Sequence, residues 1–113
     1  EEVCRAWVRK GLLSGMKFDR VGRWWTKSAE LDLVGLNEEE NLVLFGEVKW
    51  SVNEVGLDVL ADLKRKAALL EWGRPDRHER FALFSRSGFT PQLRQVAATE
   101  GIFLRTLADI AEV

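Results

Sequence analysis

The chain has 113 residues, of which 46% are hydrophobic and 31% are charged, and its formal net charge is −1. The length predicts a single domain over residues 1–113, and the hydrophobic fraction excludes wholesale disorder. A lone cysteine, Cys4, excludes a disulfide framework or a thiolate metal site. No run approaches the roughly 18 apolar residues of a membrane span, so we expect a cytoplasmic location without membrane contact. Because the first residue is Glu1, we expect a fragment of a longer chain.

The first half of the chain predicts one helix and three strands. Residues 1–13 form a helical pattern with Val3, Trp7 and Val8 as apolar anchors, in which Cys4 is a packed thiol. Residues 16–25 predict a first strand, broken by Gly22. The apolar runs at 30–34 and 45–50 carry acids at alternate positions, which is typical of half-buried strands.

The segment between these two runs predicts a tight hairpin. Asn37 and Asn41 flank three glutamates at 38–40, and a four-residue loop over 38–41 would pair Asn37 with Leu42. Register in a hairpin follows from the loop length. The loop therefore fixes which side chains face each other further along both strands.

Continuing that register sets Asp32 opposite Glu47 and Glu30 opposite Lys49, with side chains roughly 5 Å apart. Two opposed carboxylates destabilise a sheet and raise one of the two pKa values. A hard divalent cation relieves this repulsion and leaves room for phosphate oxygens. A metal-bound water is easier to deprotonate, and Lys49 could orient it or neutralise developing charge. The pattern therefore favours metal-assisted phosphodiester hydrolysis.

The second half of the chain predicts alternating helices and strands. Residues 55–72 show helical apolar spacing, and residues 81–85 are a compact apolar strand that a crossover would pair in parallel with the preceding strand. Thr90 and Pro91 begin a helix that Gly101 ends. A short strand at 102–105 follows, and Thr106 caps a final turn. The expected order is helix, three-strand meander, helix, strand, helix, strand.

The aromatic residues and the single histidine have mainly structural interpretations. Trp7 and Trp72 fall on apolar helical faces, and Trp50 should pack beneath a helix. Of the adjacent Trp24 and Trp25, one should be exposed at a sheet edge. That residue could stack on a base, dock another domain or support a homodimer, with docking favoured over stacking. His78 lies in a polar connection with no catalytic motif around it.

The motif residues resemble the PD-(D/E)xK nuclease superfamily, with Asp32 as its first acid and Glu47-x-Lys49 as its acid-x-lysine step. The segments 21–25 (VGRWW), 30–34 (ELDLV) and 44–50 (LFGEVKW) are similar to the C-terminal nuclease-like domain of archaeal-type P-loop ATPases. This resemblance extends from the first helix to about residue 89. It implies a restriction-endonuclease-like α/β fold with a mixed sheet flanked by helices, and an attached P-loop ATPase.

The resemblance also implies roles for individual residues. Asp32 and Glu47 would bind Mg²⁺ or Mn²⁺ together with the backbone carbonyl of Val48, and Lys49 would be catalytic. A further acid from the first helix would be Glu1 or Glu2, with Glu1 preferred.

In such a fold the helix at 55–72 lies beside the active face. Lys66 and then Lys64 are therefore candidate nucleic-acid contacts, as is Arg23 on the first strand; all three could instead be solvated surface charges.

Two other functions stay open beside nucleic-acid hydrolysis, for which DNA is the expected substrate. The domain could be a non-cleaving module that binds DNA or regulates its ATPase, with Asp32, Glu47 and Lys49 in a salt-bridged cluster. It could also be purely structural. The net charge of −1 predicts weak intrinsic affinity for DNA.

Overall fold

The computed structural model describes residues 1–111, which form one five-stranded mixed sheet flanked by helices on both faces. The sheet order is β1-β2-β3-β4-β5; the first two pairings are antiparallel and the last two parallel. The elements in chain order are α1 (Glu2–Arg9), β1 (Arg20–Trp25), β2 (Glu30–Asn37), β3 (Leu42–Lys49), α2 (Leu57–Ala67), β4 (His78–Ser85), α3 (Pro91–Glu100), β5 (Phe103–Thr106) and α4 (Leu107–Ala111). This confirms the predicted order of elements and the parallel crossover between β3 and β4.

Two apolar cores sandwich the sheet. The larger core lies between the sheet and the helices α2 and α3, where Leu60, Leu63 and Leu93 pack on Phe45. The smaller core lies on the other face, against α1 and α4. Burial of Cys4 in this smaller core raises the pKa of its thiol to about 11, which confirms the prediction of a packed thiol.

The helix boundaries differ from prediction where glycine or tertiary pairing intervenes. Helix α1 ends at Arg9 rather than at residue 13, because turns follow and Gly11 has a φ of 75°. Helix α2 begins only at Leu57, since Val55 pairs in parallel with Phe89. It also ends at Ala67, five residues earlier than expected.

The strand boundaries shift for similar reasons. Strand β1 starts at Arg20 instead of residue 16, after a turn closed by a hydrogen bond from the Met16 amide to the Leu13 carbonyl. Strand β4 starts at His78 instead of residue 81, because its polar first residues continue the parallel pairing with β3. Helix α3 has the predicted caps: the Thr90 hydroxyl accepts a hydrogen bond from the Leu93 amide, and Gly101 is left-handed.

The β2–β3 hairpin has the predicted register, from Asn37 opposite Leu42 up to Leu33 opposite Gly46. The turn is stabilised by a 3.0 Å hydrogen bond from the Glu40 amide to the Asn37 side chain, and Asn41 has a φ of 52°. The ladder then stops one residue before Asp32. The hairpin is therefore closed at the turn and open at its other end.

An irregularity in β2 lies at the same place. The β1–β2 register shifts between Gly22 and Trp24, so that Asp32 and Leu33 together stand opposite Arg23 alone. Strand alternation is broken there. Leu31 and Val34 consequently both face the larger core, while Leu33 faces the smaller one. The simple alternation expected for β2 is therefore wrong at this point.

The tryptophans pack as predicted, except that Trp72 follows the end of α2 instead of lying on a helical face. Trp7 is buried in the smaller core and Trp50 packs against it, while Trp24 and Trp72 pack against the larger core. Trp25, on the edge strand β1, is 63% exposed. Among residues 1–111, no helix combines the length and the apolar character that a membrane span requires.

Candidate active site

The candidate active site lies where β2 and β3 separate. A regular ladder would continue from Leu33–Gly46 to Leu31–Val48. Instead, the Val48 amide donates a 2.9 Å hydrogen bond to Oδ2 of Asp32, whose carboxylate lies between the strands. Asp32 and Glu47 are only 8% and 5% exposed. The open end of the hairpin therefore holds two buried acids.

Arg5 supports the backbone of the irregular segment. Its Nη1 atom donates a 2.7 Å hydrogen bond to the Asp32 carbonyl. The same guanidinium lies 3.9 Å from the Glu1 carboxylate and 3.1 Å from that of Glu2. The sequence analysis did not identify Arg5, because a contact across 27 residues leaves no local signal. Helix α1 thus reaches the site through an arginine.

Lys66 supplies the positive charge beside Glu47. Its Nζ atom lies 3.3 Å from Glu47 Oε2 and 3.1 Å from Asp62 Oδ2, and its side chain is 16% exposed. The preferred helix candidate, Lys66, therefore lies at the carboxylate pair. Asp62 was missed, although it precedes Lys66 by four residues, a spacing that places two side chains together on a helix.

Burial and charge shift the pKa values of this cluster. Burial, then hydrogen bonding and the charge of neighbouring Asp32, raise the pKa of Glu47 to about 8, against the opposing effect of Lys66. Burial disfavours the charged form of Lys66, but Asp62 and Glu47 outweigh that effect and raise its pKa. Glu47 therefore titrates near neutral pH, as a buried carboxyl group beside a second one does.

Lys49 extends beyond the carboxylate pair at the exposed end of β3. Its carbonyl accepts a hydrogen bond from the Arg86 amide, which anchors this end of the strand to the residue after β4. Within residues 1–111 its amine has no ion-pair partner inside 4.0 Å. The predicted pairing with Glu30 is not formed, since Glu30 lies 3.7 Å from the Arg23 guanidinium.

The other predicted residues lie further from the carboxylate pair. Lys64 points to α3, where it forms a 2.6 Å ion pair with Glu100. Glu1 is exposed at the start of α1, beside Arg5. Within residues 1–111, no three His, Cys, Asp or Glu side chains are close enough to share a metal ion. The structure therefore brings together Asp32, Glu47 and Lys66, with Asp62 in contact with Lys66, whereas Glu1 and Glu2 lie beside Arg5.

Two clefts flank strand β1. One, of about 600 Å³, is lined by Lys66, by Arg23 of β1 and by residues of the β1–β2 turn, including Lys27. The other, of about 750 Å³, has an apolar lining that includes Trp24, Leu36 and Trp72 and contains neither Asp32 nor Glu47. The smaller cleft adjoins the carboxylate pair, because Lys66 lines this cleft and also contacts Glu47.

Comparison with known proteins places this site within a family. Residues 1–67 match DUF234, described as archaeal and bacterial proteins of unknown function. The chain belongs to this family. The match covers α1 through α2 and therefore includes all the predicted site residues. A relative in Methanocaldococcus jannaschii, the uncharacterized protein MJECL04, is 35% identical over 72 residues, or 62% of the chain. The chain spans 16% of the length of MJECL04.

A solved structure with the same fold is that of a repair endonuclease from Pyrococcus abyssi. It superposes with a TM-score of 0.60 and 18% sequence identity, over 94% of this chain and 45% of the endonuclease chain. At this identity the likeness concerns the fold. It confirms the predicted restriction-endonuclease-like α/β fold.

Proposed function

We propose that this domain hydrolyses phosphodiester bonds in nucleic acid, with DNA as the expected substrate and Mg²⁺ or Mn²⁺ as cofactor. The observation that carries the proposal is the buried pair of carboxylates, Asp32 and Glu47, where β2 and β3 separate. A buried acid whose pKa is raised, next to a second buried acid in a structural opening, is more typical of a functional site than of a stabilising contact. The fold shared with a repair endonuclease supports the same interpretation.

The residues at the opening suit a hard divalent cation. Burial, together with the hydrogen bond and charge of the adjacent Asp32 carboxyl group, raises the pKa of Glu47, and the two groups are close enough to share a proton. A divalent cation can replace that proton, and oxygen donors are the ligands it prefers. The N–H and C=O groups of one strand residue point to the same side. Because the Val48 amide points to Asp32, its carbonyl faces the same opening and would complete the ligand set.

The bound cation would lower the pKa of a water molecule and stabilise negative charge on the phosphodiester. The chain's own residues would do the rest. Asp32 is held by the Val48 amide and, through its carbonyl, by Arg5, so its carboxylate is already positioned. Lys49 is exposed and unpaired within residues 1–111, so its amine can orient the attacking water or neutralise developing charge. The Lys66 amine can give up its contact with the Glu47 carboxylate and contact a phosphate oxygen of the substrate instead.

Four further expectations belong to this proposal. Glu1 would be the third acid, and the shared Arg5 contact puts it one side chain away from the Asp32 backbone. Lys64 and Arg23 would contact phosphates beyond the scissile one. A P-loop ATPase would be attached in the full protein. The domain would function in the cytoplasm.

The first test is calorimetric titration with Mn²⁺ and Mg²⁺. We expect the chain to bind metal and Asp32→Ala and Glu47→Ala to lose binding while keeping the circular dichroism spectrum of the fold. Glu39→Ala, which removes an exposed acid from the hairpin turn, is the matched control and should bind as the parent does. If the parent binds no metal at millimolar concentration with DNA present, the proposal is wrong.

One observation favours a second candidate function, a non-cleaving DNA-binding or regulatory module. The Lys66 amine already contacts both Glu47 and Asp62, so part of the negative charge of the cluster is compensated without a metal. This candidate predicts that Asp32→Ala leaves DNA binding unchanged and that no metal supports cleavage. Incubation of the parent with labelled single- and double-stranded DNA and Mn²⁺ separates the two functions.

A further inference from the structure

The cleft beside Lys66 has a composition that no part of the proposed cleavage chemistry requires. It has a volume of about 600 Å³ and is formed by the β1–β2 turn and by Lys66 of α2. Its lining includes an aromatic residue, Trp25, and three cations, Arg23, Lys27 and Lys66. The single acid in the lining is Glu30.

Trp25 is presented to solvent rather than packed. It lies on the edge strand β1 and is 63% exposed, although the Arg23 guanidinium lies over its ring at 5.0 Å from the centroid. The Glu30 carboxylate lies 3.7 Å from the same guanidinium. Exposing the large apolar surface of the Trp25 ring to water is unfavourable. The Arg23 guanidinium over this ring adds a second planar group to the exposed surface.

The charge around Trp25 favours an anionic ligand. The lining carries three cations against one acid, and of these cations Arg23 is ion-paired with Glu30 and Lys66 with Glu47 and Asp62, whereas Lys27 has no acidic partner within 4.0 Å among residues 1–111. The three exposed glutamates at 38–40 lie at the opposite end of the hairpin, away from the cations of this cleft. An aromatic face beside cations is the combination that binds single-stranded nucleic acid, through base stacking and phosphate contacts.

We propose that this cleft binds an unpaired nucleotide of the substrate strand, with its base stacked on Trp25 and its phosphates at Lys27 and Lys66. Since Lys66 also contacts Glu47, the bound nucleotide would lie next to the carboxylate pair. Bases within a duplex are stacked on their neighbours, so Trp25 can stack only on a base that is unpaired or displaced. The substrate class is therefore nucleic acid with a single-stranded segment, and this specificity rests on the proposed function.

The test measures binding without cleavage. Fluorescence anisotropy in EDTA would compare a labelled single-stranded oligonucleotide with a blunt duplex of the same sequence, for the parent, Trp25→Leu and Trp25→Phe. We expect the parent to prefer the single strand and Trp25→Leu to weaken that binding by about tenfold, the effect of losing one stacked base. Trp25→Phe keeps an aromatic face and should retain binding to within about threefold.

Two matched controls guard against nonspecific effects. Leu107→Ala removes an exposed apolar side chain after β5, at the far edge of the sheet, and should leave affinity unchanged. Lys27→Ala should weaken binding more than Lys17→Ala, because Lys17 is exposed but outside the cleft. Equal single-strand affinity for the parent and Trp25→Leu overturns the inference, as does equal affinity for single strand and duplex.

The two proposals fail in different ways. Metal-dependent cleavage by the parent, with single-strand affinity unaffected by Trp25→Leu, keeps the proposed function and rejects the stacking site. Trp25-dependent binding of the single strand with no cleavage in any metal keeps the stacking site and rejects hydrolysis.

Discussion

Both ends of the β2–β3 hairpin carry acidic residues, but the two ends differ in solvent exposure and in backbone pairing. At the turn, the three glutamates at 38–40 are exposed, and the backbone ladder beside them is complete. At the open end, Asp32 and Glu47 are buried, and the ladder between their strands is missing. A solvated acid costs the fold little, whereas a buried like-charged pair raises a pKa and destabilises the sheet.

The comparison shows that net charge says little about function in this chain. The three acids at the turn contribute to the net charge but lie away from the site. The two acids at the open end are buried: Glu47 has a raised pKa, and Asp32 accepts a hydrogen bond from a backbone amide that a regular ladder would pair with a carbonyl. Experiments that exchange one acid from each end therefore test the functional proposal directly.

The largest expected difference between the two ends is in the rate of cleavage. Asp32→Asn should lower the metal-dependent cleavage rate by at least about a thousandfold, because a lost metal ligand removes several kcal/mol of transition-state stabilisation. Glu39→Gln, at the turn, should leave the rate unchanged. Single-turnover cleavage of a labelled oligonucleotide measures both, and substantial activity in a folded Asp32→Asn variant would contradict the site assignment.

The second difference is in the pH dependence of stability. The folded pKa of Glu47 is about 8, above its ordinary value of 4.5, so the folded chain holds this proton more tightly than the unfolded one does. The contribution of Glu47 to stability is therefore full below pH 4.5 and is lost as the pH rises towards 8, by about 3–5 kcal/mol. Urea unfolding at pH 5, 6.5 and 8 should show this slope in the parent. Glu47→Gln should flatten it, and an unchanged slope would refute the burial argument.

The two lysines of α2 give a smaller and more local contrast. At pH 8, Lys66→Ala should lower the free energy of unfolding by about 1–3 kcal/mol, because it leaves Glu47 buried without its cation. Lys64→Ala removes an exposed ion pair with Glu100 and should cost no more than about 1 kcal/mol. Chemical denaturation of both variants measures the two losses in the free energy of unfolding. At pH 5 the Lys66→Ala effect should shrink, since Glu47 is then protonated.

The smallest predicted effect concerns the arginines of α1. Arg5→Ala should cost about 1–2 kcal/mol, because the carbonyl of Asp32 loses its charged donor. Arg9→Ala, which loses an exposed contact to the Val21 carbonyl, should cost less than about 1 kcal/mol. Thermal unfolding of the two variants side by side measures the difference, and equal costs would mean that Arg5 does not stabilise the open end.

The sequence sufficed for the parts of the fold that local chemistry determines. The asparagines around the turn fixed the hairpin register, and Thr90, Pro91 and Gly101 marked the bounds of α3. Alternation and register predicted that Asp32 and Glu47 would be neighbours, and their carboxyl groups do contact each other, although the ladder ends one residue earlier. Of the two helical lysines, Lys66 was preferred to Lys64, and the structure places Lys66 beside Glu47 and Lys64 beside Glu100.

Long-range features could not be derived in this way. The irregularity at Asp32 and Leu33 depends on pairing with Arg23, and regular alternation gives no warning of it. The contact of Arg5 with the Asp32 carbonyl joins two elements that only the folded sheet brings together. The expected partner of Lys49 was wrong for the same reason: the strands separate before Glu30 reaches it, and Glu30 contacts Arg23 instead.

The hydrogen bond from the Val48 amide to Asp32 makes that amide a reporter of the site. Most sheet amides are shielded from solvent by a neighbouring carbonyl, whereas this one depends on the orientation and charge of a side chain. In a nitrogen-15 spectrum its proton should shift when the Asp32 carboxylate is protonated or bound by a cation. Its exchange with heavy water should follow the same changes, while the Gly46 amide in the intact ladder stays constant. One resonance would thus report occupancy of the site without any substrate.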